Sequence, residues 1–386
     1  MAALTLAGAR VWDGLDAAAA AGEVYVDGGL IADAAGEGAR VIDVSGCTVL
    51  PGLIEGHTHL AFNAQPDWRT VYDGDTPARM LLRMQGNAMV ALRAGITTVR
   101  DLGAPTDLAV ALREAIRSGL VAGPDLLVSG APVTTTGGHC WFIGGEADGE
   151  LGVRVAVRER VKAGVDWIKV MASGGNMTPG SNPFAAQYSV VELRALIEEA
   201  HRLERRVAAH AHGVAGIEVA VEAGVDVIEH CSFQTPAGSV KDMRLVAEIA
   251  RRGILVSPTI SGRLLEQRGA DRFEMRAGLV RAFFEAGCDV FMSTDSGIPG
   301  LPHDDLVHAL RTMQAMTAQS AIEVLRLATS TSARLLGLPD RGSIAPGQRA
   351  DLLVVEGDPT RDLEALGRVR AVVAGGRLVR WEQASG

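Results

Sequence analysis

The chain is poor in aromatic residues, which make up 4% of its 386 positions. Little material is left for the stacking surfaces that hold single-stranded nucleic acid. Positive charge is also short, with 37 Lys and Arg against 46 Asp and Glu for a net charge of −9. No Lys/Arg cluster offsets this deficit, which argues against nucleic acid or an anionic membrane as partner. The four cysteines, Cys47, Cys140, Cys231 and Cys288, stand far apart. Without a CxxC pair there is neither a zinc ribbon nor a disulfide framework. No apolar run approaches the ~20 residues of a membrane span. The start, Met1-Ala2-Ala3-Leu4-Thr5-Leu6, lacks the basic stretch of a signal peptide and reads as a strand. These absences point to a cytoplasmic protein.

Apolar residues are plentiful at 47%, enough for a large core. The middle of the chain repeats one grammar: an amphipathic helix, a glycine, then a short apolar strand. The junctions fall at Ala94-Gly95, Ala163-Gly164, Ala223-Gly224, Gly253 and Ala286-Gly287. Glycine after a helix adopts the left-handed cap without steric penalty. The strands that follow are Ile96–Val99, Val165–Ile168, Val225–Ile228, Ile254–Val256 and Cys288–Phe291. Leu53–His57, Pro124–Gly130 and Arg206–His210 bring the number to eight. Ser189 with Glu192 three residues on forms a capping box for one of the helices. Eight β-α units predict an α/β protein with a (β/α)8 TIM barrel over residues 51–342.

The two ends read as short strands with glycine turns and no helical pattern. Leu4–Ala7, Gly22–Val26, Leu30–Ala32 and Val41–Val44 lie in residues 1–50. Ala350–Val355, Val369–Ala374 and Leu378–Trp381 lie in 343–386. The expectation is a small β-sandwich built from both ends.

Barrel enzymes carry their active sites where the strands end. Here the strand ends hold His57 and His59, Lys169, His210 and His212, His230, and Asp295. Residues i and i+2 of a strand face one way, so His57 and His59 make half of a metal site. By the same rule either His210 or His212 serves as the strand-five ligand. His139, flanked by Gly137-Gly138, sits on the loop after strand three. His303 follows strand eight and is a substrate-facing candidate. His201 reads as structural and His308 as helix surface. Arg100 and Asp101 read as an ion pair that fixes loop geometry. Trp141 and Phe142 read equally as an apolar pocket wall or as core packing.

This ordered set resembles the metal-dependent amidohydrolase superfamily, in the branch of imidazolonepropionase-related and prolidase-like enzymes. The carrying stretches are Leu50-Pro51-Gly52-Leu53-Ile54-Glu55-Gly56-His57-Thr58-His59, Trp167-Ile168-Lys169-Val170, Ala209-His210-Ala211-His212-Gly213, Ile228-Glu229-His230 and Ser293-Thr294-Asp295-Ser296-Gly297. The tail Gly342–Leu352 adds to the resemblance, which covers nearly the whole chain. It implies two divalent cations, zinc first, with manganese, cobalt or iron as alternatives. His57, His59 and Asp295 would hold the more buried one and His210 and His230 the other. Lys169, N-carboxylated, would bridge them. The pattern favours His210 over His212, which becomes substrate-facing. It casts Asp295 as proton carrier and His139 as a catalytic, substrate-polarising group.

The implied chemistry is hydrolysis of an amide-type C–N bond in an N-acyl amino acid, dipeptide or small amide. Lactonase, carboxylesterase and phosphotriesterase activity share such a centre. An imidazolone or cyclic-amidine hydrolase is a further alternative. A deaminase is less well matched, since Gly213 stands where His-x-x-Glu would place its glutamate and Lys169 is present. A non-enzymatic binding protein would normally have lost ligands. For a dipeptide, Arg263 after strand seven is the candidate cation for the substrate carboxylate, whereas the apolar loop after strand three suits a less charged amide. The partners expected are a small-molecule substrate and further copies of the chain in a homo-oligomer.

Overall fold

The computed structural model describes residues 3–382, so residues 1–2 and 383–386 of the expected end domain lie outside the described residues. Five strands open the chain: β1 (Leu4–Val11), β2 (Ala20–Asp27), β3 (Leu30–Ala32), β4 (Arg40–Asp43) and β5 (Cys47–Pro51). The middle begins β6 (Leu53–Thr58), α1 (Trp68–Gly74), α2 (Pro77–Arg93), β7 (Ile96–Asp101), α3 (Thr106–Arg117), β8 (Asp125–Val128). It continues α4 (Gly149–Ala163), β9 (Trp167–Met171), α5 (Val190–Arg202), β10 (Arg206–Gly213), α6 (Val214–Ala223), β11 (Val227–Thr235), β12 (Gly238–Ser239). Then come α7 (Met243–Arg251), β13 (Leu255–Ser257), α8 (Asp271–Glu285), α9 (Leu306–Thr317), α10 (Ala321–Leu327) and α11 (Ser330–Leu336). Three strands close it: β14 (Leu352–Glu356), β15 (Val369–Ala374) and β16 (Arg377–Trp381).

The alternation in the middle follows from its punctuation. Gly164 and Gly224 cap α4 and α6 at φ 91° and 89°, conformations that a Cβ would strain, and the chain turns at once into β9 and β11. Ser189 and Glu192 close both bonds of their capping box at the start of α5. Strands β6, β7 and β8 pair in parallel, and so do β9, β10, β11 and β13. Val133, just past β8, exchanges backbone bonds with Lys169 and Met171 of β9 at 2.8 and 2.9 Å.

The expected eighth strand differs. Cys288–Phe291 is not a regular strand, and only a single bridge joins Val290 to Val256. The segment does bond on both sides: Val256 donates to Asp289, and Asp295 donates to His57 at 2.9 Å. Asp295, four residues on, sits at φ 67°, a conformation that His230 shares at 66° within β11.

The ends join one hydrogen-bonded sheet in the order β16-β15-β14-β5-β1-β2-β3, with β4 also paired to β1. Strand β1 meets β4 through Leu4–Ala7 and β5 through Arg10 and Val11, with an irregularity between them. Side chains of β14 alternate. Leu352 and Val354 pack with Leu6, Val24 and Val373, whereas Leu353 and Val355 pack with Met84 and Leu92 of α2. A 3₁₀ turn at Leu363–Gly367 lies in the tail where no helical pattern was expected, held by Asp362 accepting from the Glu364 amide. Among the described residues no helix is long and apolar enough to cross a membrane.

Candidate metal centre

Side chains of β6, β9, β10 and β11 and the segment at Asp295 converge on one cavity of about 320 Å³. On one side, His57 Nε2 stands 3.3 Å from His59 Nε2, and Asp295 Oδ1 stands 3.3 Å from the first and 3.1 Å from the second. A tetrahedral cation with bonds of ~2.0–2.1 Å would hold its ligand atoms ~3.3 Å apart. On the other side, His230 Nε2 lies 2.9 Å from His210 Nδ1, and His212 belongs to the same group. The rings of His57 and His230 are 5.2 Å apart, so the two groups adjoin. His230 and Asp295 are both at positive φ, 66° and 67°. Such strain in non-glycine residues persists where the surroundings impose it, as they do at functional sites.

Each ring is aimed by a bond from its other nitrogen. His57 Nδ1 donates to Glu229 Oε2 at 2.9 Å and His59 Nδ1 to the Gly103 carbonyl at 3.3 Å. His210 Nε2 donates to the Gly174 carbonyl at 3.0 Å, and His230 Nδ1 bonds Thr259 Oγ1 at 2.9 Å. These bonds leave lone pairs facing inward, the arrangement that orients metal ligands. Burial drives His57 down to about 4 and His210 and His230 well below their usual range, so all three rings are neutral donors.

The supports behind the ligands were not foreseen. Arg100 does not pair with Asp101, because neighbours on a strand face opposite ways. Its guanidinium is fully buried, 2.7 Å from Glu229 Oε1, between the rings of Trp167 and Phe291. Asp101 instead accepts from the amides of Gly103 and Leu60. Burial pushes Glu229 up, but Arg100 and His57 outweigh it and hold the carboxylate well below the usual range. Glu55, pushed up to about 8 by burial, bridges the His57 amide and Thr294, fixing the turn that presents Asp295.

Lys169 is 1% exposed and burial pushes its amine down to about 8. Lys169 Nζ and Asp295 Oδ1 are buried and have no hydrogen-bond partner. Burial pushes Asp295 up, but His57, His59 and Lys169 together hold it below its ordinary value. Unsatisfied buried polar atoms are costly, and here they share one cavity with neutral imidazoles. The donor set fits divalent cations.

The structure sorts the substrate candidates. His139 lines the cavity with its ring 4.7 Å from that of His210, Nδ1 unpartnered, and burial pushes it down to about 3. A Cβ on Gly175 would clash with this ring, so glycine is required there. His212 also lines the cavity, bonded to Ser232 at 2.8 Å. His303 does not: its Nε2 is turned to the His59 carbonyl at 3.2 Å, behind the ligand. Trp141 is 42% exposed and Phe142 packs on Phe62, Trp68 and Tyr72, so the aromatic wall is Phe62 instead. Arg263 is exposed and reaches the Gly300 carbonyl, while Arg272 and Arg276 of α8 line the cavity. Residues so distant in sequence carry no local signal of their roles. His201 bonds Asp226 at 2.8 Å on the outside, and His308 is exposed on α9.

A family model described as the amidohydrolase family matches residues 48–379. Ochratoxinase of Aspergillus niger is 29% identical over 371 residues, covering 86% of this chain and 75% of that protein. Imidazolonepropionase of Deinococcus radiodurans is 27% identical over 355 residues, covering 84% and 81%. A solved Xaa-Pro dipeptidase with methionine bound in its active site matches with a TM-score of 0.86 at 27% identity, covering 98% of this chain and all of that one (100%).

Proposed function

We propose that this chain, which belongs to the amidohydrolase family and is a hydrolase of carbon–nitrogen bonds, cleaves the amide of a small molecule at a centre built for two divalent cations. The observation that carries the reading is the convergence of His57 Nε2, His59 Nε2 and Asp295 Oδ1 at ligand spacing beside His210 and His230. His57, His59 and Asp295 would hold one cation, and His210 and His230 the other. Lys169, neutral enough to add carbon dioxide with loss of a proton, would bridge them as a carbamate. Zinc suits these nitrogen and oxygen donors, with manganese, cobalt or iron as substitutes. When bound, such cations polarise a carbonyl and lower the pKa of water from 15.7 to about 7.

The chain's own groups do the rest. Asp295 contacts the imidazoles through Oδ1, which leaves Oδ2 to take a proton from the attacking water and pass it to the leaving nitrogen. His139, neutral and close to His210, donates a ring N–H to the carbonyl oxygen as charge develops there. Phe62, Met171 and Ile298 add apolar wall to the same cavity.

The frame that supports this is a (β/α)8 barrel over residues 51–342 with a β-sandwich from 1–50 and 343–386. Its support is the run of hydrogen bonds from β6 round to the Asp295 segment and back. Homo-oligomers and a cytoplasmic site of action complete the reading, the latter resting on four buried cysteines that form no disulfide.

The test is a screen of metal-loaded protein against N-acyl amino acids, dipeptides, aryl amides, lactones and phosphotriesters. Turnover of amides above the oxygen esters supports the proposal. Metal-replete protein that cleaves only lactones or phosphotriesters would replace it.

A further inference from the structure

Helix α8 turns one face to the cavity. Arg272, Met275, Arg276 and Leu279 recur at helical spacing and all line it. Arg276 is pinned in place: Nη2 donates to the carbonyls of His230, at 2.8 Å, and Pro258. Its Nη1 is buried and has no partner. Arg272, one turn earlier, is exposed. Neither guanidinium has an ion-pair partner among the described residues.

Two cations four residues apart on a helix repel each other. No carboxylate in the cavity pairs with them: among the described lining residues the one acid is Asp295, already set against His57 and His59. Much of the remaining wall is apolar, including Phe62, Met177 and Leu301.

We infer that Arg272 and Arg276 receive the carboxylate of the substrate, and that the substrate carries no free ammonium group. Guanidinium donors match a carboxylate in both charge and geometry. An ammonium would find no free carboxylate in this cavity and would lose its hydration uncompensated. The substrate class is therefore an N-acylated amino acid with an apolar side chain, in preference to a free dipeptide. This inference rests on the hydrolase reading above but concerns recognition alone.

The test uses the metal-loaded protein and three probes: N-benzoyl-L-leucine, its neutral analogue N-benzoyl-L-leucinol, and L-leucyl-L-leucine. Where a probe is cleaved, the comparison is of kcat/KM; where it is not, of Kd by calorimetry. N-benzoyl-L-leucine should exceed each of the others by about tenfold or more, the scale of a charge-assisted bond. Arg272→Gln, at an exposed position with no structural partner, should shrink that preference through KM with kcat little changed. Arg276→Lys, which keeps the charge but not the fork, should shrink it too. Equal values for acid and alcohol, or a preference untouched in both variants, overturns the inference. Amide hydrolysis without preference for the acid would sink this inference and leave the hydrolase reading standing. Preferred binding of the acid with no cleavage of any probe would do the reverse.

Discussion

His57 and His230 face each other across 5.2 Å, yet what stands behind each ring is different. Behind His57 is a buried charge pair, Glu229 with Arg100, both wholly enclosed. Behind His230 is a threonine hydroxyl, and behind His210 a backbone carbonyl. A carboxylate makes an imidazole a stronger donor and fixes its tautomer more firmly than a neutral oxygen does. A buried ion pair is also rigid, because breaking it leaves an uncompensated charge costing ~3–5 kcal/mol. On the two-cation proposal, the His57 side would therefore retain its cation the more tightly. The His210–His230 side, with His139 and His212 around it, would be the one that exchanges ligands with the cavity.

Asp295→Asn tests the proposed proton route on the His57 side. It should cut turnover by at least ~100-fold, on the scale of 10²–10⁴ for general acid–base groups. Thermal melting should be near wild type. A metal-replete variant with near-normal rate shows that another group carries the proton.

His139→Ala tests the His210–His230 side. It should lower kcat by ~10²–10³, as for an oxyanion donor, with metal content unchanged. Loss of metal would make His139 a ligand. Unchanged kinetics would make it a bystander.

Glu229→Gln and Thr259→Val compare the supports directly. The first should weaken the tighter cation by ~10–100-fold and lower the melting temperature, since Arg100 loses its partner. The second should weaken the looser cation by ~10-fold or less. Competition with a chromogenic chelator reads both. Equal effects, or a larger effect at Thr259, would remove the asymmetry.

Much of this site was legible because strands impose order. His57 and His59 share a face by parity, and the glycines after α4 and α6 mark where the following strands begin. The alternating element order likewise assigns Lys169, His210 and His230 to three successive strands, though the structure has them inside β9, β10 and β11 and not at their ends. Pairings were not legible. Arg100 sits beside Asp101 in sequence but meets Glu229, 129 positions away, because only the packed structure sets which buried charges touch. The cations that line the cavity were missed for a related reason. Arg263 follows strand seven directly, yet the next helix is what faces the cavity, through Arg272 and Arg276. The segment at Cys288–Phe291 looked like any other buried strand. Its pairing is a single bridge between Val290 and Val256, which its apolar composition does not reveal.

The most direct measurement is elemental analysis of the purified protein during stepwise dialysis against chelator, for wild type and Lys169→Ala. Wild type should start near two divalent cations per chain and lose them in two steps, the first easily and the second at much higher chelator. Lys169→Ala should lose the first step and most of its activity while remaining folded. A single cation throughout, release of both in one step, or a Lys169→Ala protein with two cations and full activity would contradict the account.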